Sequence, residues 1–501
     1  MKKILASKYW WIALLALLVL INFAASYFTV RADLTAEKRF TLSNPTKKML
    51  KGMDSPVNIT VFLEGDMPKD FKKLKNSTTE LLQEFKEISR NNIKYVFEKP
   101  GAGLNDSAKS YFLDSIARMG IKPYTISAQV KEGEGSEQRQ VVPGALLSYK
   151  GRVMAVDLLA GQNYNANHDQ QSLDEGSINR VEATLEYKFA NAIHKLTKDT
   201  VPLIGYLSGN GEPLSYNVYD LIERNLKVNY AFRVFKIDSF PSIPAVFSAM
   251  IITKPTENFS DEQKLKLDQY VMHGGKILWM VDQLYAEMDS LRRSQNEFIA
   301  FDRNLNLDDI LFKYGVRINP DLVQDLTCAK IATTIGDAGG KPQVQPLNWV
   351  YFPLLTNYNN HPIAKNLDYV VAEFPNSIDT VAAQGISKTI LLATSAESRI
   401  LSTPAKVSFT SIQTEDDLKK FKSGNIPVAV LLEGKFSSLF TNHLGTDMRD
   451  NLNKIGEPFM AQNVADNKMI VIADGDMALN PVTQNDGPLQ MGMRSPSGIP
   501  S

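Results

Sequence analysis

The stretch that most restricts how this chain can fold is residues 201 to 282, where runs apolar on both faces alternate with helix-period segments. It opens with Leu203-Ile204-Gly205-Tyr206-Leu207 and turns through Ser208-Gly209-Asn210-Gly211-Glu212-Pro213. Val218, Leu221, Ile222 and Leu226 then recur at helical spacing. Phe232-Arg233-Val234-Phe235 is a strand candidate, and Phe247 to Thr253 is a further apolar run. Ser260 and Gln263 form a capping-box pattern before a helix that stops at Gly274-Gly275, and Ile277 to Val281 closes the unit at Asp282. A strand apolar on both faces has to be covered on both, so the alternation predicts a parallel sheet with helices on each side. Ligands of such sheets bind beyond the carboxyl ends of the strands, where Gly209, Gly211, Lys254 and Asp282 are expected to gather.

Upstream, Tyr9 to Val30 is almost unbroken apolar sequence, interrupted by Asn22 and Ser26 and preceded by Lys2, Lys3 and Lys8. About 20 apolar residues span a bilayer as a helix, and the lysines favour a cytoplasmic N-terminus. The reading is a cytoplasmic tip over 1–8, a transmembrane helix over 9–30 and a juxtamembrane linker over 31–43, with the bulk of the chain across the membrane. Ala24-Ala25-Ser26 is a weak small-residue cleavage site, so a cleaved signal peptide is the competing reading.

A smaller α/β domain is expected over 44–198. Val57, Ile59, Val61 and Leu63 alternate as a half-buried strand, Leu74, Leu81, Leu82, Phe85 and Ile88 form a helical stripe, and Ile93 to Phe97 returns as a strand. This order resembles a thioredoxin-like start, but no Cys-x-x-Cys is present to do redox work. Ile126, Ala128 and Val130 alternate before a charged segment, and two strands flank Lys150-Gly151, so 126 to 159 reads as hairpin structure. Ile178, Val181, Leu185, Phe189, Ile193 and Leu196 then define a long amphipathic helix. The larger domain is placed at 199–480, with an insertion near 325–425 in which Gly336 to Gln345 reads as a mobile loop. Further strands are expected at Val370 to Phe374, Thr389 to Ala393, Val428 to Leu432 and Met469 to Ala473, the last meeting Asp474-Gly475-Asp476. Residues 481–501 read as a disordered C-terminal tail.

The chemistry-bearing residues do not assemble into a known catalytic pattern. Gly209-Asn210-Gly211 lacks both the Gly-x-Gly-x-x-Gly spacing and a Gly-Lys-Ser/Thr ending, so it is no nucleotide cradle. Asp474 and Asp476, with Asp282, have the oxygen chemistry of a hard-cation site, but aspartates around a glycine also make turns. His168, His194, His273, His361 and His443 are scattered, and neither His-x-x-x-His nor Gly-x-Ser-x-Gly occurs. Cys328 has no base beside it in the sequence and reads as a structural cysteine. Lys plus Arg and Asp plus Glu are 55 each, so no net field draws nucleic acid. No enzyme activity, cofactor or metal is assigned. The residues kept as a possible cleft for a ligand are Gly209, Asn210, Gly211, Glu212, Asp474 and Asp476.

Three separated stretches carry a family resemblance: Arg31-Ala32-Asp33-Leu34-Thr35 through Thr41-Leu42-Ser43, Gly205-Tyr206-Leu207-Ser208-Gly209-Asn210-Gly211-Glu212-Pro213, and Asp474-Gly475-Asp476 with Asn480-Pro481 to Gly492. Over roughly residues 5 to 493 the chain resembles the GldG family, gliding-motility-associated ABC transporter proteins of Bacteroidota. The resemblance implies a non-catalytic, substrate-binding-type auxiliary subunit of the inner membrane with a large periplasmic region. It implies an ABC ATPase subunit and a multi-spanning permease subunit as partners, in gliding motility or associated secretion. It also implies a glutamine-amidotransferase-like fold for the larger domain, without the catalytic cysteine, as in an intraflagellar-transport protein family. Such proteins continue into a second membrane span, which the tail after Met493 lacks, and a truncated or frame-shifted reading frame would explain that. The alternatives are a membrane-tethered periplasmic hydrolase and a solute receptor using the same cleft.

Overall fold

A computed structural model describes residues 42 to 491, apart from 66, 122, 132–133, 161–174, 199, 294–296, 339–340, 360, 366, 368, 413, 443, 484–486 and 490. The first unit begins at α1 (Asn44–Lys51), where the Ser43 side chain accepts from Thr46 N and proline occupies the first turn. β1 (Val57–Val61) and β2 (Ile93–Phe97) pair in parallel across α2 (Lys69–Ile88), which buries Phe71, Leu74, Leu82 and Phe85. After α3 (Asp106–Arg118) come two hairpins, β3 (Tyr124–Lys131) with β4 (Glu134–Val141), and β5 (Gly144–Tyr149) with β6 (Arg152–Asp157). The second turns at Lys150 and Gly151, φ 47° and 81°, and β5 joins β1 to give the order β2-β1-β5-β6. The long helix α4 (Glu175–Thr197) lays Val181, Leu185, Phe189 and Ile193 into the same core as α2.

The larger unit is built on a ten-stranded sheet. Its main strands are β7 (Leu203–Ser208), β8 (Ala231–Lys236), β9 (Phe247–Thr253), β10 (Ile277–Met280), β11 (Cys328–Ala338), β12 (Lys341–Asn357), β13 (Ile386–Ala393), β14 (Pro427–Gly434) and β15 (Asn467–Ile472). They run in the order β11-β12-β13-β14-β15-β10-β9-β7-β8, with the short strand Val370–Val371 beside β12. The stretch from β15 to β8 is parallel throughout, as expected, whereas β11 to β15 pair antiparallel. The sheet is therefore mixed. A run apolar on both faces reports only that a strand is covered, and β14 is as buried through Val428–Leu432 as any parallel strand. The stretch around Gly336 to Gln345, expected as a loop, instead carries ladder pairs from Gly336↔Gln343 to Ala338↔Lys341 at the end of the β11–β12 hairpin.

α5 (Asp261–Met272) has both halves of the capping box in place, and its residues 263 to 272 are all buried. One side packs Leu267 and Val271 on Trp279 of β10; α6 (Asp308–Tyr314) adds Ile310, Leu311 and Tyr314 to that core. Over the opposite face of β7 and β9, Val218, Ile222 and Leu226 form a second, smaller core. The helical spacing of those three residues is realised as a 3₁₀ turn (Ser215–Val218) followed by a π-helix (Asp220–Leu226).

One expectation is corrected outright. No helix among the described residues is long and apolar enough to cross a membrane. The transmembrane helix expected over 9–30, on which the single-pass inner-membrane placement rests, lies outside the described residues, and neither is shown. The longest described helices, α2 and α4 with 20 and 23 residues, are amphipathic, so their length serves a core-facing stripe instead.

Candidate functional site

Strand order reverses between β7 and β9, which is where an open α/β sheet leaves a crevice for a ligand. Here the chain fills that crevice with itself. The Asn210 carbonyl accepts from Thr256 N and Glu257 N, both at 2.9 Å, so the loop after β7 is laced to the loop after β9. Asn210 Nδ2 donates to Asn258 O at 3.0 Å and to Gln263 Oε1 at 2.9 Å, the same glutamine that caps α5. Glu212 Oε2 accepts from Asn210 N at 2.8 Å. Gly211 lies at φ 82°, and a Cβ there would stand 2.0 Å from Thr256 Oγ1, so only glycine permits this approach. Asn210 and Glu212 are both buried, and burial pushes the Glu212 carboxyl up despite its amide donors. The glycines thus close a seam between two loops.

The second group lies at the ends of β9, β10 and β15. Lys254, Asp282, Asp474 and Asp476 meet there, the first three within two residues of their strand ends and Asp476 in the turn that follows Asp474. Asp474 is wholly buried; its Oδ1 accepts from Asp476 N at 2.8 Å and Met477 N at 3.1 Å, and its Oδ2 from Glu373 N at 2.8 Å. Asp282 Oδ1 accepts from Gly475 N. The Lys254 ammonium bonds Asp476 and stands 3.6 Å from Asp282 and 3.8 Å from Glu287, which in turn meets Arg303 at 3.2 Å. Gly475 has no room for a side chain, since its Cβ would lie 2.7 Å from that of Lys254. Lys254 itself has φ 43°, an uncommon conformation for a residue with a long side chain. Beside this cluster is a cavity of about 300 Å³ lined by Asn217, Lys254, Glu287, Glu373, Asp476 and Asn480, among others.

The electrostatics follow from burial and crowding. Burial first, then the charges of Asp282 and Asp476, push the Asp474 carboxyl well up. Burial alone pushes Lys254 down, but the charges of Asp476, Asp282 and Glu287 outweigh it and hold the ammonium charged. Oxygens of Asp282, Asp474 and Asp476 lie within 4.8 Å of one another, the kind of set a hard cation takes. The ammonium of Lys254 supplies the positive charge that this set requires. The structure therefore joins Asp474 and Asp476 with Asp282 and Lys254, and holds Gly209, Asn210, Gly211 and Glu212 in the neighbouring seam; the cavity lining includes neither Asn210 nor Glu212. Glu287, Arg303 and Glu373 were not singled out by sequence reasoning. They lie in polar segments with no local signature, and only long-range folding brings them here.

Cys328, at the start of β11, is partly buried, and burial together with Asp325 pushes its thiol up to about 11. That is the opposite of an activated nucleophile. His273 Nδ1 lies 2.8 Å from Gln269 O inside its own helix end, and His168 and His443 lie outside the described residues.

Residues 202–498 match a family described as an ABC-type uncharacterized transport system, whose members are auxiliary to ABC transporters. The chain belongs to this family. As an ABC-transporter auxiliary protein it is a transporter-associated component, and the match stops at that level without singling out the gliding-motility branch. Residues 36–148 match a domain of unknown function. No curated protein matches. Among solved structures the chain is similar to the mmIFT52 N-terminal domain, at 15% identity and a TM-score of 0.28, over 55% of this chain and 88% of that one. It is also similar to exo-beta-1,4-mannosidase Op5Man5 from Opitutaceae bacterium strain TAV5, at 11% identity and a TM-score of 0.22, over 88% of this chain and 51% of that one.

Proposed function

We propose that this ABC-transporter auxiliary protein is a non-catalytic subunit that works by binding an ABC ATPase subunit and a multi-spanning permease subunit, in gliding motility or an associated secretion. The observation that carries the non-catalytic part is the closed switch point. The crevice an α/β enzyme would use is laced shut by the Asn210 carbonyl, and the neighbouring carboxylates are tied up by Lys254 and backbone amides. The partners are supported by the family. The link to gliding rests on the resemblance carried by Gly205 to Pro213 and by Asp474-Gly475-Asp476 with Asn480-Pro481. ATP hydrolysis falls to the partner, because this chain has no Gly-x-x-x-x-Gly-Lys-Ser/Thr loop. To influence transport the auxiliary subunit must bind one state of the transporter more tightly than another.

The test is affinity purification of the full chain from its native cells, with mass spectrometry and an ATPase assay on the recovered complex. Co-purification of an ABC ATPase and a permease is the expected result, together with loss of spreading motility in a deletion strain. Recovery of the chain alone, with motility intact, refutes the proposal. Turnover of a hydrolysable ester or amide that disappears in Asp474→Asn would instead make the chain an enzyme.

A further inference from the structure

The large sheet ends at β8, and that end is open. β8 pairs in parallel with β7 from Leu203↔Ala231 to Ser208↔Lys236, and no strand among the described residues pairs with its other side. Ala231 N donates to Pro202 O, which sets the alternation of the strand. Ala231, Arg233 and Phe235 turn their backbone groups to β7, while Phe232, Val234 and Lys236 turn theirs outward. Backbone groups left this way are a template for a further strand. The edge is open to solvent, since Ala231, Arg233, Val234 and Lys236 are all exposed, Val234 at 49%. Arg233 and Lys236, three residues apart, stand on opposite faces of the strand. Neither finds a carboxylate among the described residues. The nearby acids are engaged: Asp220 with Arg224, Glu223 with Lys227, and Asp238 with the Gln263 amide. Exposed Val228 and Tyr230 extend the apolar surface before the strand, and exposed Phe240 stacks on Phe235 after it at 5.1 Å.

We propose that β8 is a docking edge for an extended segment of another protein, one with acidic side chains three residues apart and β-branched residues between them. Laid antiparallel, its acids stand opposite Arg233 and Lys236 and its apolar pair opposite Val234 and Phe235. Its backbone takes the outward groups of Phe232, Val234 and Lys236. The charges decide the occupant. A second copy of β8 would bring both pairs of cations into one ladder with no acid to meet them, so the edge rejects itself and accepts a strand of opposite sign. Neither the seam nor the carboxylate cluster takes part, so the proposal stands whether or not the partner is a transporter subunit.

The probe is a capped octapeptide, Thr-Thr-Glu-Val-Val-Glu-Thr-Thr, titrated into the full chain, with a copy carrying lysine in place of both glutamates as the control. One-to-one saturable binding is expected, with deuterium uptake over 231–236 slowed about tenfold and the lysine copy about tenfold weaker. Arg233 and Lys236 are exposed, so Arg233→Glu with Lys236→Glu should leave the melting temperature unchanged and reverse the preference between the two peptides. Val234→Pro removes an outward donor, a change that an edge strand tolerates, and should abolish binding of both. Absence of saturable binding, protection that falls outside β8, or a preference that the double reversal leaves within twofold overturns the proposal. A dimer of the full chain that Val234→Pro dissolves overturns it in favour of a second copy.

Discussion

Replacing Lys254 with methionine removes the one ammonium that faces Asp476, Asp282 and Glu287 while keeping much of the side chain's volume. At the 3.6 Å separation from Asp282, a unit pair at an effective dielectric of 20 is worth about 5 kcal/mol of direct attraction, before desolvation is charged against it. Lys254 and Asp282 are both more than nine-tenths buried, so that desolvation has already been spent on the acids and is not refunded when the lysine goes. Breaking such a pair from one side costs about 3–5 kcal/mol. The assay is urea unfolding of the full chain by tryptophan fluorescence, since Trp279 and Trp349 are fully buried and report on this unit. Asp476→Asn introduced into the Lys254→Met background should restore about 1–3 kcal/mol by removing a charge that has lost its partner. The pH dependence has a definite sign. Without the ammonium, the folded-state pKa of Asp476 rises further above its unfolded value, so the folded variant binds more protons than the folded parent. Its stability deficit is therefore smallest near pH 5 and grows toward pH 8. A cost below about 1 kcal/mol, or a deficit that shrinks as pH rises, would refute the reasoning.

Three further outcomes are expected. Gly211→Ala, with φ 82° and a Cβ 2.0 Å from Thr256 Oγ1, should cost about 2–4 kcal/mol, whereas Gly274→Ala at φ 94°, with open space around it, should cost about 1 kcal/mol; equal melting temperatures would show that the seam yields freely. Asp268 accepts from Ser438 Oγ at 2.6 Å, Tyr314 OH at 2.9 Å, Leu439 N at 2.9 Å and Gln269 Nε2 at 3.0 Å, so Asp268→Ala takes the acceptor from four donors and should lose about 3–5 kcal/mol in chemical denaturation. Asp268→Asn keeps one acceptor and should fall between the two. Cys328, with its thiol pushed up to about 11, should react with a disulfide reagent at pH 8 about 100-fold more slowly in the folded chain than in urea, and comparable rates would contradict its burial.

Much of the framework was legible locally. Positions that bury side chains on one strand face or one helix stripe announce themselves within a dozen residues, as with Val57 to Val61, the α4 stripe from Ile178 to Leu196, and the Ser260–Gln263 capping box. Strand direction was not, because β14, paired antiparallel with β15, and β10, paired parallel with it, present similar apolar runs to their covering layers. The seam was half legible: Gly209 and Gly211 signalled a turn, but that Gly211 is held by contact with Thr256, 45 residues away, is a property of the packed chain. The hydrophobic run over 9–30 satisfies the length criterion for a membrane span and lies outside the described residues.

What the sequence by itself determined is the alternation of covered strands and capped helices, the absence of a catalytic or nucleotide motif, and the positions of Asp282, Asp474 and Asp476 at strand ends. Tertiary structure alone decided that Lys254 neutralises those carboxylates, that Glu287, Arg303 and Glu373 join them, and that Asn210 and Glu212 turn away into a sealed loop. The physical reason is range. Propensity, capping and periodicity act over a few residues and leave their mark in composition, whereas a buried charge is stabilised by whichever partner the topology delivers, and Lys254 and Asp476 are 222 residues apart.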